Sequence, residues 1–426
     1  MQTGGIYQGR TLQDTVQVTC DNPKFFLPGR DGTGQHANIP VDAGLLSKHL
    51  LLLGGVGSGK TNVFNHIVRN IRSTMHNQDV MLVFDAKGDY VKEFYRPGDI
   101  IISNDSSSTD YWNIFDEITI DDRVEENISE IADFLFKDKI AKSSSPFFPS
   151  AARDLFAALM LHICRTGRKE LMNNQILRSA IDSFSPQKFR QVLAQYPDLQ
   201  GISSYIANDK SEQTQGVSAE LQQAIREVLS GNFRKKGNFS IRRQIRQKEG
   251  KVIFIEYDLG IGKMLAPIYA LIIDFAIKES LCRKQDEGNV YFILDEFRLM
   301  PPLDHMDNGI NFGRSLGAKF VLGLQNVDQM YDVYGEEAAR SILSGCSTMI
   351  SFLLLDEPSR TFVEQRAGRN LRMIQYMSTV QSKGINENVT AGNAIEDWDI
   401  SGLQPGEAIV QSLNFIPFRF RFNLFQ

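Results

Sequence analysis

The sequence predicts an α/β protein: a parallel-rich central sheet covered by helices, with an all-α domain inserted into it. Three observations carry that expectation. Short apolar runs ending in acids or glycines alternate with helical segments over residues 45–117 and again beyond 250, the pattern of parallel strands buried on both faces. Between Ile118 and Asn232 strand signals vanish and apolar residues recur at helical spacing. One strand-to-helix joint is a glycine-rich loop ending in Lys60-Thr61, a junction suited to gripping phosphate.

In chain order, residues 1–45 contain turn-rich stretches such as Pro28-Gly29-Arg30-Asp31-Gly32 and read as a short β lead-in packed on the sheet. His49-Leu50-Leu51-Leu52-Leu53 is a buried strand and 62–72 a helix. Residues 79–84 form a strand ending at Asp85, and 99–103 another. Helices are expected over 124–136, 151–164, 187–196 and 218–229, with Ser143-Ser144-Ser145-Pro146 as punctuation. Strands return at 252–257, 290–294, 319–324 and 347–355, and 407–413 and 417–424 close the sheet. The expected organisation is a first part of the nucleotide-binding domain (1–117), an all-α insertion (118–232) and a second part (233–426). No internal repeat interrupts it.

At 426 residues, 42% hydrophobic and 23% charged, the chain reads as a soluble globular protein too long for one ordinary core. A net charge of −5 argues against an overall basic coat but leaves room for a local basic channel. Cys20, Cys164, Cys282 and Cys346 are scattered without C-x-x-C spacing, so neither a zinc site nor a disulfide framework is indicated. No signal peptide is recognisable, and no apolar run approaches the ~20 residues of a membrane helix. A cytoplasmic protein is expected, with membrane contact only through a partner or a missing N-terminal anchor.

Gly54-Gly55-Val56-Gly57-Ser58-Gly59-Lys60-Thr61 matches the G-x-x-x-x-G-K-[ST] loop in full. Its glycines let the backbone curl so that N–H groups face phosphate oxygens. Lys60 brings charge to the β- and γ-phosphates, and the Thr61 hydroxyl suits Mg2+. The helix N-terminus, running on through Asn62, adds its partial positive charge. ATP and Mg2+ are therefore expected at residues 54–62. Val290-Tyr291-Phe292-Ile293-Leu294-Asp295-Glu296 is an apolar strand ending in two acids, a Walker B pattern. Asp295 would hold Mg2+, directly or through water, and Glu296 would orient or deprotonate the attacking water. Such a pair is common on surfaces, and it gains meaning from the complete phosphate loop upstream. Gln325 ends the next apolar strand, where an amide at a strand's C-terminal end faces the ligand crevice and can sense the γ-phosphate. Arg314 lies on the helix before that strand; by position alone a solvated or salt-bridged arginine is the simpler reading, and a trans-acting arginine the functional one. His49 and His162 belong to apolar elements and suggest structural roles, and no Ser/His/Asp grouping follows from spacing.

Several of these stretches together resemble a known family. Asp295-Glu296-Phe297, Gly313-Arg314-Ser315-Leu316-Gly317-Ala318-Lys319-Phe320, Gly323-Leu324-Gln325 and Met330-Tyr331-Asp332-Val333-Tyr334-Gly335 are similar to the Walker B-to-sensor block of the conjugative coupling ATPases. These are the TraG/TraD-type coupling proteins of type IV secretion, relatives of the FtsK/HerA translocases. Phe84-Asp85-Ala86-Lys87-Gly88-Asp89-Tyr90 resembles the family's D-P-K-G-[ED] element and Tyr111-Trp112-Asn113 its W-N-P element, in the family's order, over about residues 45–425. The resemblance implies a RecA-like P-loop NTPase with an inserted all-α domain. It implies that Gly59, Lys60 and Thr61 bind ATP and Mg2+, and that Asp295 and Glu296 serve magnesium and water. Arg314 would be the arginine supplied across a subunit interface, eleven residues before Gln325, and Gln325 the sensor. Two departures stand out. Ala86 replaces the family's proline, and the membrane helices with which members usually begin are missing. The chain is thus expected to be a soluble piece of a longer protein or a soluble member with a separate anchor.

The implied function is an ATP-driven coupling protein that pumps DNA or nucleoprotein to a type IV secretion channel. It would work as a homo-hexamer at the inner face of the membrane, with DNA or a relaxase-type cargo protein as partner. A translocase or recruiter of protein substrates alone is the alternative, and a slowly turning nucleotide-dependent scaffold a third. The most basic stretch, Arg234-Lys235-Lys236 through Arg242-Arg243 to Arg246, Lys248 and Lys251, could line a DNA path. Because it leads straight into a core strand, a solvated connector is the simpler reading.

Overall fold

A computed structural model of the chain describes residues 3–377 and 385–426. Its strands are β1 (Thr3–Gly9), β2 (Phe25–Asp31), β3 (His36–Val41), β4 (Leu50–Leu53), β5 (Val80–Asp85), β6 (Ile100–Ile102) and β7 (Val252–Glu256). Then come β8 (Val290–Leu294), β9 (Ala318–Leu324), β10 (Thr348–Ser351), β11 (Arg369–Met377), β12 (Ile385–Asn393), β13 (Glu407–Ser412) and β14 (Phe415–Phe422). The chain folds into two compact units. The first comprises Met1–Val83, Arg283–Arg298 and Met306–Gln426, the second Phe84–Cys282 and Leu299–His305.

In the first unit the sheet runs β3-β2-β14-β13-β10-β4-β9-β8-β5. The pairs β10–β4, β4–β9 and β9–β8 are parallel. Every residue of β4, β8 and β9 is buried, which is why these strands are near-continuous apolar runs, broken only by Lys319 and Gly323 of β9, rather than alternating ones. Beyond β10 the sheet turns antiparallel through β13, β14, β2 and β3. Residues 347–355 are expected as one strand, but only Thr348–Ser351 pair. Their partner β4 ends at Leu53, and the two chains then separate into loops joined by Phe352 N–H to Leu53 O (2.8 Å) and Gly55 N–H to Leu353 O (3.0 Å). The β lead-in divides. β2 and β3 extend the main sheet, whereas β1 joins β11 and β12 in a separate antiparallel sheet that the sequence pattern does not announce.

In the second unit β6 and β7 pair in parallel, Ile101 opposite Phe254. Between them in sequence the chain is helical, as its spacing predicts: Val124–Lys142, Phe147–Arg165, Asn174–Asp182, Pro186–Leu193 and Glu212–Val228. Capping side chains set several starts. Asn173, Ser185 and Ser211 accept from the backbone N–H groups of Ile176, Lys188 and Thr214. A 3-10 helix, Pro197–Ile206, was not foreseen. By length and composition Phe147–Arg165 is apolar enough to cross a membrane, contrary to the expectation that no segment comes near. It buries Ala151, Ala152, Leu155, Phe156, Leu159 and Ile163, the face of a core helix.

The basic connector is only partly a solvated strand of cations. Arg242 is 1% exposed. Its guanidinium donates to Glu279 Oε2 (3.0 Å), Glu117 O (3.0 Å), Asn127 Oδ1 (3.1 Å) and Asp121 Oδ2 (2.9 Å). The Glu117 carboxylate in turn accepts from Trp112 Nε1, Ser240 Oγ and Ile241 N–H at 2.7–2.9 Å. Burial still pushes that carboxyl up to about 7, because the donors do not fully replace water. Arg246 completes the knot on Glu279 at 2.6 Å.

Candidate nucleotide site

With all four leucines of β4 buried, the strand end is fixed where the chain turns into Gly54. The loop then closes on its surroundings. Gly54 N–H donates to Leu324 O (3.1 Å), and Ser58 O accepts from Gly406 N–H (2.9 Å). Gly57 and Gly59 adopt φ of +74° and +112°, a region side chains avoid. A Cβ on Gly59 would stand 3.1 Å from Gly406. Helix Lys60–Thr74 starts directly on Gly59 and buries Val63, Phe64, Ile67, Val68 and Ile71, so its first turn is anchored to the sheet.

The side chains gather at the C-terminal ends of β4, β8 and β9. Lys60 Nζ donates to Gly54 O and, at 3.3 Å, to Gly55 O. Thr61 Oγ1 donates to Asp295 Oδ2 at 3.2 Å, linking the loop after β4 to the acid after β8. Gln325 Nε2, after β9, donates to Glu296 Oε2 at 3.3 Å. Lys60, Thr61, Asp295, Glu296 and Gln325 are thus brought together. Val56, at the loop tip, is 87% exposed. Asn62 faces elsewhere: Nδ2 donates to Asn423 O (2.9 Å) and Oδ1 accepts from Phe425 N–H (2.7 Å). Arg314 is exposed on the turn Gly313–Leu316, and its guanidinium has no hydrogen bond or ion pair among the described residues.

The donor set fits a magnesium-bound triphosphate. A hydroxyl and a carboxylate oxygen 3.2 Å apart are hard ligands of the kind Mg2+ prefers. Ser58 Oγ is buried with no hydrogen-bond partner among the described residues, and the loop needs glycine conformations. The sequence did not single out Arg298, whose Nε lies 3.8 Å from Glu296 Oε2. Nor did it single out Gly406, which seats the loop. Pro405-Gly406 signals a turn, but nothing in its spacing ties that turn to residue 58.

Asp85, within the second unit, caps the next helix. Its carboxylate accepts from the N–H groups of Lys87 (3.3 Å), Asp89 (3.2 Å) and Val91 (2.9 Å). Burial pushes its carboxyl above the usual range. Ala86 is buried in the strand exit, a place with no need of proline. Glu130, Asp274 and His305 of that unit also approach one another closely. Lys278 pairs with Glu130, and His305 Nδ1 hydrogen-bonds Asp274 Oδ2 at 2.7 Å. Burial lowers the affinity of His305 for a proton, but Asp274 more than offsets this and raises it, so the cluster supplies its own cations.

A strand–loop–helix phosphate grip after β4, facing a Walker B pair after β8 with the parallel strand β9 between them, defines a RecA-like P-loop NTPase fold. Residues 33–396 match the family model of the type IV secretion-system coupling protein DNA-binding domain. The chain belongs to that family. It is 25% identical over 370 residues to the coupling protein TraD of Escherichia coli (strain K12), covering 82% of this chain and 48% of TraD. It therefore spans about half the length of that relative. Among solved structures it is similar to the unbound bacterial conjugative coupling protein TrwBdeltaN70, with a TM-score of 0.76, 19% identity and coverage of 95% of this chain and 90% of that one. It is also similar to the plasmid coupling protein TrwB in complex with ADP and Mg2+, with a TM-score of 0.71, 18% identity and coverage of 91% and 88%.

Proposed function

We propose that the chain is the motor part of a type IV coupling protein. It hydrolyses ATP with Mg2+ and uses the energy to pump DNA or nucleoprotein toward a secretion channel. The observation that carries this is the junction of Thr61 with Asp295 (3.2 Å) beside that of Gln325 with Glu296 (3.3 Å). These contacts support reading Thr61 and Asp295 as a cation-binding pair, Glu296 as a water-orienting acid and Gln325 as a sensor amide. Residues 54–61 cradle the phosphates with backbone N–H groups, and Lys60 leaves the loop carbonyls to meet them. Thr61 and Asp295 hold Mg2+, which when bound neutralises phosphate charge. Glu296 orients the attacking water and takes its proton, and Gln325 relays its state to β9. Arg314 reaches the site of a neighbouring copy, for which a homo-hexameric ring is the natural assembly. Domain boundaries at 117/118 and 232/233 belong to the same proposal. The helical part docks a relaxase-type cargo at the cytoplasmic face of the membrane.

The test is steady-state ATP turnover against protein concentration, with and without single- and double-stranded DNA, and with Lys60→Ala as blank. A rate per chain that rises with concentration and jumps with DNA supports the proposal. A Lys60-dependent rate indifferent to DNA moves the assignment to protein cargo alone. No Lys60-dependent rate under any condition overturns the motor.

A further inference from the structure

The basic connector splits into two parts with opposite fates. Arg242 and Arg246 are consumed inside the second unit. Arg234, Lys235 and Lys236 are all exposed and line a groove with Gln175, Arg178 and Asp182. The charged groups of Arg234 and Lys236 have no hydrogen-bonded or ion-paired partner among the described residues. Asp182, the groove's one acid, is already neutralised by Arg178 (2.9 Å) and Arg226 (2.7 Å). In a chain of net charge −5, this concentrates uncompensated positive charge in one concave place.

The arch that carries these cations is held at both ends. Upstream, Asn232 N–H donates to Asn104 Oδ1 (2.9 Å), and Asn232 Nδ2 donates to Ser103 O (2.9 Å) and Asp105 O (2.6 Å). Asn174 Nδ2 holds Phe233 O at 2.8 Å. Downstream, Gly237 lies so close to the Tyr111 and Trp112 carbonyls that a Cβ would stand 2.4 Å from each. Asn238 N–H then donates to Tyr111 O at 3.0 Å. Lys235 Nζ sits 4.4 Å over the Tyr111 ring, which aims its ammonium. Tyr111-Trp112-Asn113, singled out by resemblance alone, is thus the floor on which the cationic arch rests.

We infer that this groove binds the phosphate backbone of a nucleic acid, with Arg234, Lys235 and Lys236 as its phosphate contacts. The inference rests on the DNA substrate proposed above and says where on this chain it is gripped. Cations spaced along a backbone arch that is itself held at both ends suit a regularly charged polymer read without regard to sequence. The groove's lining contains no apolar side chain. That disfavours an amphipathic helix, which needs apolar anchor pockets, and a concave site disfavours a flat membrane surface. An acidic protein segment remains the competing occupant.

The experiment compares the full chain, the triple variant Arg234→Gln/Lys235→Gln/Lys236→Gln, and a control triple of equal charge change, Lys169→Gln/Lys188→Gln/Lys210→Gln, also at exposed positions of the second unit. The probes are a labelled single-stranded oligonucleotide of about 30 nucleotides and a labelled poly-glutamate peptide. Both are titrated over a salt series, with thermal midpoints checking that each variant is folded. The groove triple should bind the oligonucleotide at least ~10-fold more weakly than the control, with a log–log salt slope shallower by about 2. Equal binding by both triples, with the wild type binding well, overturns the groove and leaves the DNA substrate standing. A wild type that does not bind the oligonucleotide overturns both. Loss of poly-glutamate binding alone overturns the nucleic-acid assignment in favour of acidic protein.

Discussion

His49 precedes β4, and its hydrogen bonds determine its protonation. Nδ1 accepts from Phe320 N–H at 3.1 Å, so Nε2 must carry the hydrogen it donates to Ile310 O at 2.9 Å. A second proton would have to sit on Nδ1, facing an N–H. Burial accordingly lowers the pKa of His49 from 6.5 to about 4. Because the unfolded chain binds this proton more readily, the stability contributed is full above pH 6.5 and is lost as pH falls toward 4. The window caps the effect at about 3 kcal/mol. His49→Gln keeps one acceptor and one donor but cannot titrate. The urea midpoint of wild type should therefore fall relative to this variant between pH 7 and 4, and parallel curves would contradict the tautomer. Residues of this kind are half legible in sequence. An apolar neighbourhood marks His49 as structural, but its two partners lie more than 250 positions away along the chain. Lys60, Thr61, Asp295 and Glu296 are legible because phosphate chemistry fixes their local spacing. Arg298 is not, since a surface arginine two residues past an acid has no distinguishing signal.

Among the elements, the register of β8 and β9 is held by a missing side chain. Leu294 lies opposite Leu322, and at Gly323 a Cβ would stand 2.2 Å from Asp295 O. A glycine inside an otherwise apolar strand often marks such close backbone approach. Gly323→Ala should displace β9 from the Walker B end, costing on the order of 1–3 kcal/mol as an overpacked core does. ATP turnover should fall by more than the loss of folded protein explains, because Asp295 and Gln325 flank the contact. Unchanged turnover in the folded variant would mean the two strand ends tolerate separation. The same strands show why the sheet was readable. β4, β8 and β9 are buried on both faces, so apart from Lys319 and Gly323 of β9 every position carries an apolar side chain. β11 and β12 escape notice because apolar residues on them such as Leu371 and Val389 are 36% and 46% exposed, so burial at those positions imposes no period of two. Ile241–Gln247 hides its burial differently: Arg242 scores as surface in any periodicity count, yet its partners let it lie inside.

At the scale of the whole molecule, the proposed ring places the activity between chains. Arg314 is exposed, with no hydrogen bond or ion pair to its guanidinium among the described residues, whereas Glu296 is set in its own site, so each should be dispensable to a different copy. Arg314→Ala and Glu296→Gln should each abolish turnover alone. Mixed in equal amounts before assembly, they should regain roughly a quarter of wild-type activity if every interface acts independently with a trans arginine. An inactive mixture that still assembles would return Arg314 to the status of a surface residue.

The knot around Arg242 bears on how such a chain can change over generations. Removing Arg242 alone takes away the buried guanidinium that Glu279 and Asp121 share and leaves them with Arg246, a loss of up to about 3–5 kcal/mol, whereas exchanging a whole ion cluster for apolar side chains can be neutral. Each single step away from the present set is therefore a descent, and the far side is reachable only by simultaneous change. Lineages descending from this chain should inherit Glu117, Asp121, Arg242 and Glu279 as one indivisible trait, while the exposed cations a few residues upstream drift one at a time.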